Sequence, residues 1–238
     1  NEKLAKSFAQ DVGLLKEVGI NPIVVHGGGP QIGEMLKKKN IKSNFVEGLR
    51  VTDNETVKIV EEVLSKDINS KIVNDISLSG GKAIGLSGHL NNIIQAEKIN
   101  IALKNSDSNI EKILDIGFVG KPVSINCDII SKSVAKGYIP VIAPLGYDTE
   151  KNIYNINADT AAGAIAEAMK ATKLLLLTDV SGILDGNNKL ISSLSIIDAK
   201  KIINKKFITG GMQPKIETSI NAIDRGVKET TILDGRIP

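Results

Sequence analysis

The stretch Asn21-Pro22-Ile23-Val24-Val25-His26-Gly27-Gly28-Gly29-Pro30-Gln31-Ile32 changes its periodicity midway. Its first half is a short, β-branched, fully apolar run that reads as a buried strand. Its second half opens a helix, with Pro30 suited to the first turn. Between them stand three glycines. A strand that runs through a glycine turn into a helix is the unit of an α/β sheet. Glycine lets backbone N–H groups approach an anion closely, and a helix N-terminus adds a favourable dipole. A plain tight turn would use the same residues. The sequence matches neither the P-loop nor the dinucleotide fingerprint. His26 reads as a hydrogen-bonded core histidine rather than a base.

The same alternation continues on both sides. Leu4, Phe8, Val12 and Leu15 are spaced for a helix to about Val18. Thr52 stands three residues before Glu55, the spacing of a capping box. A long helix should follow it, burying Val57, Val60, Leu64, Ile68, Ile72 and Ile76. Strands are expected at Ala83–Leu86, Ile139–Ala143, Leu174–Leu177 (buried) and Thr230–Leu233. Helices are expected at Asp128–Lys136, Ala158–Met169 and Pro214–Arg225, with a short one opened by Ser195-x-x-Asp198. Residues 91–125 read as antiparallel hairpins beside the main sheet. The expected class is α/β, a mainly parallel sheet with helices on both faces. Residues 1–238 read as a single domain, with a division into lobes of about 1–144 and 145–238.

Composition narrows the function. The chain has 238 residues, 42% hydrophobic and 24% charged, which argues against disordered and collagen-like classes. No apolar run approaches the roughly 18 residues that span a bilayer. Aromatics are 3% with no Trp, which disfavours base-stacking platforms for nucleic acid. The net charge of +3 is scattered over 27 lysines, 3 arginines and 27 acids, with no dense basic block. Cys127 is the single cysteine, which fits a reducing compartment and a cytoplasmic location. Two histidines are too few for a typical zinc site, and no metal ligand set is expected.

In an open α/β sheet, ligands bind beyond the carboxyl ends of the strands. Four further segments belong there. In Gly48-Leu49-Arg50-Val51-Thr52, a lone Arg suits bidentate grip of a carboxylate, and a surface ion pair would use it equally well. In Asn155-Ile156-Asn157-Ala158-Asp159, alternation points three polar side chains to one face of an extended segment. Asp159 alone reads as a helix N-cap. Thr178-Asp179-Val180-Ser181-Gly182-Ile183 is a strand end with its loop. In Gly210-Gly211-Met212-Gln213-Pro214-Lys215, a cation in the first helical turn opposes the dipole and so needs another reason, such as a bound phosphate, though a plain solvated lysine would read the same way.

Taken in order, these five segments resemble the amino-acid kinase family, and within it the branch that phosphorylates acetylglutamate. The resemblance spans nearly the whole chain. It implies a three-layer αβα sandwich around a roughly eight-stranded sheet. It also implies transfer of the ATP γ-phosphate, with Mg²⁺ bound to the nucleotide, to the side-chain carboxylate of N-acetyl-L-glutamate. That is the second step of arginine biosynthesis. Carried over residue by residue, Gly28 and Gly29 would donate N–H groups to the transferring phosphoryl group and the acceptor. Arg50 would bind the α-carboxylate, and Asn155 would contact the acetylated amino acid with Asn157 nearby. Asp159 would orient lysines, and Lys215 would neutralise charge on the phosphoryl group. Asp179, Val180, Ser181, Gly182, Ile183, Leu184, Phe207, Ile208 and Thr209 would surround the nucleotide. The implied partners are a second copy of the chain, as a dimer or in a hexamer, and a nitrogen-signalling regulatory protein.

The family pattern also opens with a strand carrying a Lys and a Gly-Gly pair, and it continues beyond the last strand here. Neither feature has a counterpart between Asn1 and Pro238. The expectation is therefore low turnover by these 238 residues alone. Two alternatives remain: a kinase for an acetylaminoadipate-type acceptor, and a non-catalytic amino-acid-sensing module.

Overall fold

The computed structural model describes residues 2–104, 111–187, 189–204 and 211–237. Helix α1 (Glu2–Glu17) leads to strand β1 (Val24–Val25) and helix α2 (Gly29–Lys38). A hairpin, β2 (Phe45–Val46) and β3 (Leu49–Arg50), turns on Glu47 and Gly48 at φ 48° and 78°. Two consecutive positive φ values match the right-handed strand twist, as in a type I′ turn.

One continuous helical rod follows: α3 (Asn54–Glu62), a π-helical turn (Val63–Ile68) and α4 (Asn69–Leu78). The cap differs from the sequence expectation. Asp53, not Thr52, is the N-cap, accepting from Thr56 N at 2.8 Å. Thr52 is fully buried in a bridge to Gly117, so its hydroxyl is unavailable to the helix and donates instead to the Arg50 carbonyl at 2.7 Å.

Strand β4 (Ala83–Ser87) is followed by a long antiparallel hairpin, β5 (Ile94–Lys104) with β6 (Glu111–Ile125). Next come α5 (Asp128–Ala135), β7 (Ile139–Ala143), β8 (Leu145–Tyr147) and β9 (Ile153–Ile156). The hairpin does not simply flank the main sheet. With β8 and β9 it closes into a barrel, β5-β6-β9-β8. The C-terminal part runs α6 (Ala158–Ala168), β10 (Lys173–Thr178), α7 (Ile196–Asn204), α8 (Met212–Asp224) and β11 (Glu229–Asp234).

Outside the barrel, parallel pairing among the described residues builds two sheets, β1-β7-β4 and β10-β11, rather than one continuous ladder. Side chains of the first sheet alternate by face. Val24, Ile139 and Val141 pack with Ala9 and Val12 of α1 and Ile76 of α4. Leu86 and Ile142 pack the opposite way, on Ile130 of α5 and on Ala161 and Ile165 of α6. Helices therefore cover both faces, the α/β layering expected. In β10, Leu174 and Leu176 are buried on α6 and α8, whereas Leu175 and Leu177 are 45% and 46% exposed. The expectation of a wholly buried strand holds for one face only. Among the described residues, no helix is long and apolar enough to cross a membrane.

Candidate active site

The C-terminal ends of β1, β7 and β9 meet above the glycine turn. There, Gly28, Gly29, Arg50, Asn155 and Asn157 line one cavity of about 220 Å³. Gly28 is the N-cap of α2 and provides no side-chain cap, so the first amides of that helix are left for a ligand. The absent side chain also leaves room here for the tips of Ile68 and Leu64. A Cβ on Gly28 would stand 2.5 Å from Ile68 Cδ1 and 2.6 Å from Leu64 Cδ2.

Arg50 is 7% exposed and held on three sides. Its Nη2 donates to the Gly29 carbonyl at 2.9 Å, its Nη1 donates to Ser43 Oγ, and its guanidinium lies 4.6 Å from the centre of the Phe45 ring. Burial pulls its pKa down, but an arginine stays charged throughout the useful range. The structure thus gives Arg50 neither free solvation nor a carboxylate partner among its described contacts. Asn155 Nδ2 reaches Thr52 Oγ1 at 3.4 Å, and that hydroxyl donates to the Arg50 carbonyl, so β3 and β9 are linked behind the cavity.

The Asn-x-Asn-x-Asp segment does not remain extended. Strand β9 ends at Ile156, and Asn157 caps α6, its Oδ1 accepting from Thr160 N at 3.1 Å. The cap therefore falls on Asn157, not on Asp159. Asp159, one residue into the helix, turns instead to Lys215, with Oδ1 and Nζ 2.7 Å apart and side chains 20% and 14% exposed.

Lys215 lines a second cavity, of about 580 Å³, with Asp179, Val180 and Gly211. Gly211 is the N-cap of α8, so among the described residues the first amides of this helix have no side-chain cap. Arg236 lines the same cavity and was not singled out in the sequence. Its guanidinium holds Asp234 through two bonds of 2.9 and 2.7 Å, which draws the Asp234 carboxyl down to about 2. Its scarcity was the available signal, since the chain has only three arginines.

The remaining candidates divide. Ser181, Gly182 and Ile183 line a separate space of about 660 Å³ beside β11, α7 and α8. Leu184 pairs with Leu190 in an isolated bridge. Phe207, Ile208 and Thr209 lie outside the described residues. Among the described residues, no group of three or more His, Cys, Asp or Glu is placed to hold a metal ion.

Comparison with known proteins bears on this arrangement. Residues 1–234 match the model of the amino acid kinase family. The chain belongs to the amino acid kinase family. It is 53% identical over 238 residues to a protein of Rhodospirillum centenum named acetylglutamate kinase, covering 100% of this chain and 78% of that one. The crystal structure of smu.665 from Streptococcus mutans UA159 superimposes with a TM-score of 0.83 at 27% identity, covering 95% of this chain and 87% of that chain. N-acetylglutamate synthase from Neisseria gonorrhoeae, complexed with coenzyme A and N-acetyl-glutamate, shares the fold at TM-score 0.83 and 22% identity, covering 100% of this chain and 52% of that chain.

Within this amino acid kinase, Ser87, His89 and Glu61 have the composition of a nucleophile triad. Ser87 Oγ lies 3.0 Å from His89 Nδ1, and His89 Nε2 lies 3.0 Å from Glu61 Oε1. Ser87 is nevertheless 4% exposed and lines none of the cavities above. It contacts Ser65 Oγ at 2.9 Å, so the group ties the π-helical turn to β4. Burial lowers the His89 pKa against the opposing pull of Glu61, which favours a neutral ring.

Proposed function

We propose that this protein transfers the γ-phosphoryl group of ATP to the side-chain carboxylate of N-acetyl-L-glutamate, the second step of arginine biosynthesis. One observation carries the reading: the Lys215–Asp159 ion pair bridges α8, at the second cavity, and α6, whose first residues line the first. A cation at that junction suits a phosphoryl group passing between a nucleotide on one side and a carboxylate on the other.

The acceptor carboxylate has a pKa near 4.3 and is already ionised at neutral pH, so the reaction requires no general base. The obstacle is repulsion between that carboxylate and a polyphosphate. It is met by positioning and by charge placed where negative charge gathers. In this reading the α2 amides at Gly28 and Gly29 face the transferring group from the acceptor side. Arg50, its geometry already set by Gly29, Ser43 and Phe45, receives the α-carboxylate. Lys215 exchanges part of its contact with Asp159 for the phosphoryl oxygens. The uncapped α8 N-terminus and Arg236 lie on the nucleotide side. Mg²⁺ would arrive on the phosphates and shield their charge. The relatives named acetylglutamate kinase support the choice of acceptor.

The test is a coupled ATPase assay on the gene-encoded protein with N-acetylglutamate, glutamate and N-acetylaminoadipate. N-acetylglutamate is expected to give a kcat/KM at least about tenfold above the others, since one methylene is worth about 1–3 kcal/mol. Preference for N-acetylaminoadipate would move the substrate assignment. ATP binding without turnover on any acceptor would favour a sensing module.

A further inference from the structure

Asn69 is 4% exposed and sits where the π-helical turn passes into α4. Its Nδ2 donates to the Val141 carbonyl at 2.9 Å, to the Leu86 carbonyl at 3.3 Å and to His26 Nε2 at 3.1 Å. Two amide hydrogens therefore serve three acceptors. These acceptors lie on β7, on β4 and just after β1, so one side chain ties together the three strands of the first parallel sheet, two of which, β1 and β7, end at the first cavity.

The bond to His26 fixes its proton. The amide nitrogen of Asn69 can only donate, so His26 Nε2 must accept. The ring is then the neutral Nδ1–H tautomer, and Nδ1 donates to the Gly27 carbonyl at 3.1 Å. Burial lowers the His26 pKa, which acts in the same direction. The core-histidine reading holds, and the ring passes the position of Asn69 on to the glycine loop.

The π-helical turn delivers Asn69 to this place. Leu64, Ile68, Ile72 and Ile76 repeat every four residues. In an α-helix of about 100° per residue, that spacing drifts about 120° between Leu64 and Ile76. One inserted residue removes about 100° of it. The Asn69 N–H accordingly bonds to the Leu64 carbonyl, five residues back. The same turn brings Leu64 and Ile68 against Gly28 and pins Ser65 to Ser87. Asn69 also requires Gly85, where a Cβ would collide with its Oδ1.

We propose that Asn69 is a positioning residue, which sets the height of the Gly28 and Gly29 amides in the cavity through the neutral His26 ring. The proposal rests on the reading of that loop as an anion cradle. Its test pairs an exchange measurement with kinetics on the gene-encoded protein. In Asn69→Ala, amide hydrogen exchange of residues 27–32 should rise about tenfold or more while β10 and β11 are unchanged. kcat should fall about tenfold with the KM for ATP moved less than about threefold. His26→Ala should do the same, and the double variant should lose no more than either single one. His26→Gln retains an acceptor toward Asn69 and a donor toward Gly27, so it should restore slow exchange if Asn69→Ala fails to fold. Unchanged loop exchange in Asn69→Ala or His26→Ala, or losses that multiply in the double variant, would overturn the proposal. If the exchange pattern holds and the wild type phosphorylates no acceptor, the kinase reading fails while the positioning role stands.

Discussion

The two cavities hold their principal cations differently. In the first, Arg50 is bound to a backbone carbonyl, a hydroxyl and an aromatic face before any ligand arrives. In the second, Lys215 has a carboxylate partner at 2.7 Å. The Arg50 contacts are neutral and leave its charge without a carboxylate partner among the described residues, which in the proposed reading makes it a fixed receptor for an anion. The Lys215 contact is ionic and exchangeable, so its charge can be shared with an incoming group. A fixed cation suits binding, and an exchangeable one suits a charge that develops during reaction.

The strongest test of that contrast is Lys215→Ala. Removing one donor aimed at developing charge typically costs about 10²–10³ in kcat. We expect a loss of that size with the KM of ATP changed less than about threefold, measured in the coupled assay. A variant that lost only affinity would place Lys215 in ground-state binding and erase the contrast with Arg50.

Gly28→Ala should come next. The added Cβ would meet the tips of the Ile68 and Leu64 side chains, so either these rotate aside or the loop lifts. A displacement of about 1 Å costs about 10²-fold in turnover. Soaking or co-crystallisation with a non-hydrolysable nucleotide would show which element moved. Wild-type turnover in a folded Gly28→Ala protein would show that the two side-chain tips give way and the loop holds its place.

These two residues also show what the sequence made legible. The strand, glycine turn and helix around Gly27–Gly29 were clear because periodicity changes there within a few residues. The helix from Val57 to Ile76 was also clear, but its fourfold spacing was itself the mark of an underwound turn. The β2–β3 hairpin was missed because Glu47-Gly48 is a weak turn signal compared with Asn-Gly. The Thr52 capping box and the Asp159 cap failed for one reason. Each had a competing neighbour, Asp53 or Asn157, and only tertiary contacts with Gly117 and Lys215 decide between them. Arg236 could not be placed from the sequence, since its cavity is assembled by α1, β10 and α8 together.

Arg50→Lys should be milder than either change above. A lysine keeps the charge but loses the planar fork that serves Gly29 and Ser43 at once. We expect the KM for the acceptor to rise about tenfold, with kcat altered less than about threefold, as one charge-assisted bond is worth about 1.5–3 kcal/mol. Thermal melts would separate this from loss of the loop tether. If kcat fell instead, Arg50 would belong with Lys215 and the two cavities would not differ in kind.

The smallest effect should come from Asn157, which lies between the regions. It lines the first cavity, yet its side chain is engaged in capping the helix that carries Asp159. A cap is worth about 1 kcal/mol and Ser serves nearly as well as Asn, whereas Ala does not. Asn157→Ala should therefore lose about 1 kcal/mol in urea unfolding, and Asn157→Ser only a few tenths. The acceptor KM should stay within about twofold in both, because capping acts through the helix and not through the ligand. An Asn157→Ser protein with native stability and a raised acceptor KM would show that the amide Nδ2 reaches the acceptor while Oδ1 holds the cap. The first cavity would then contain a second residue that is fixed before binding, as Arg50 is.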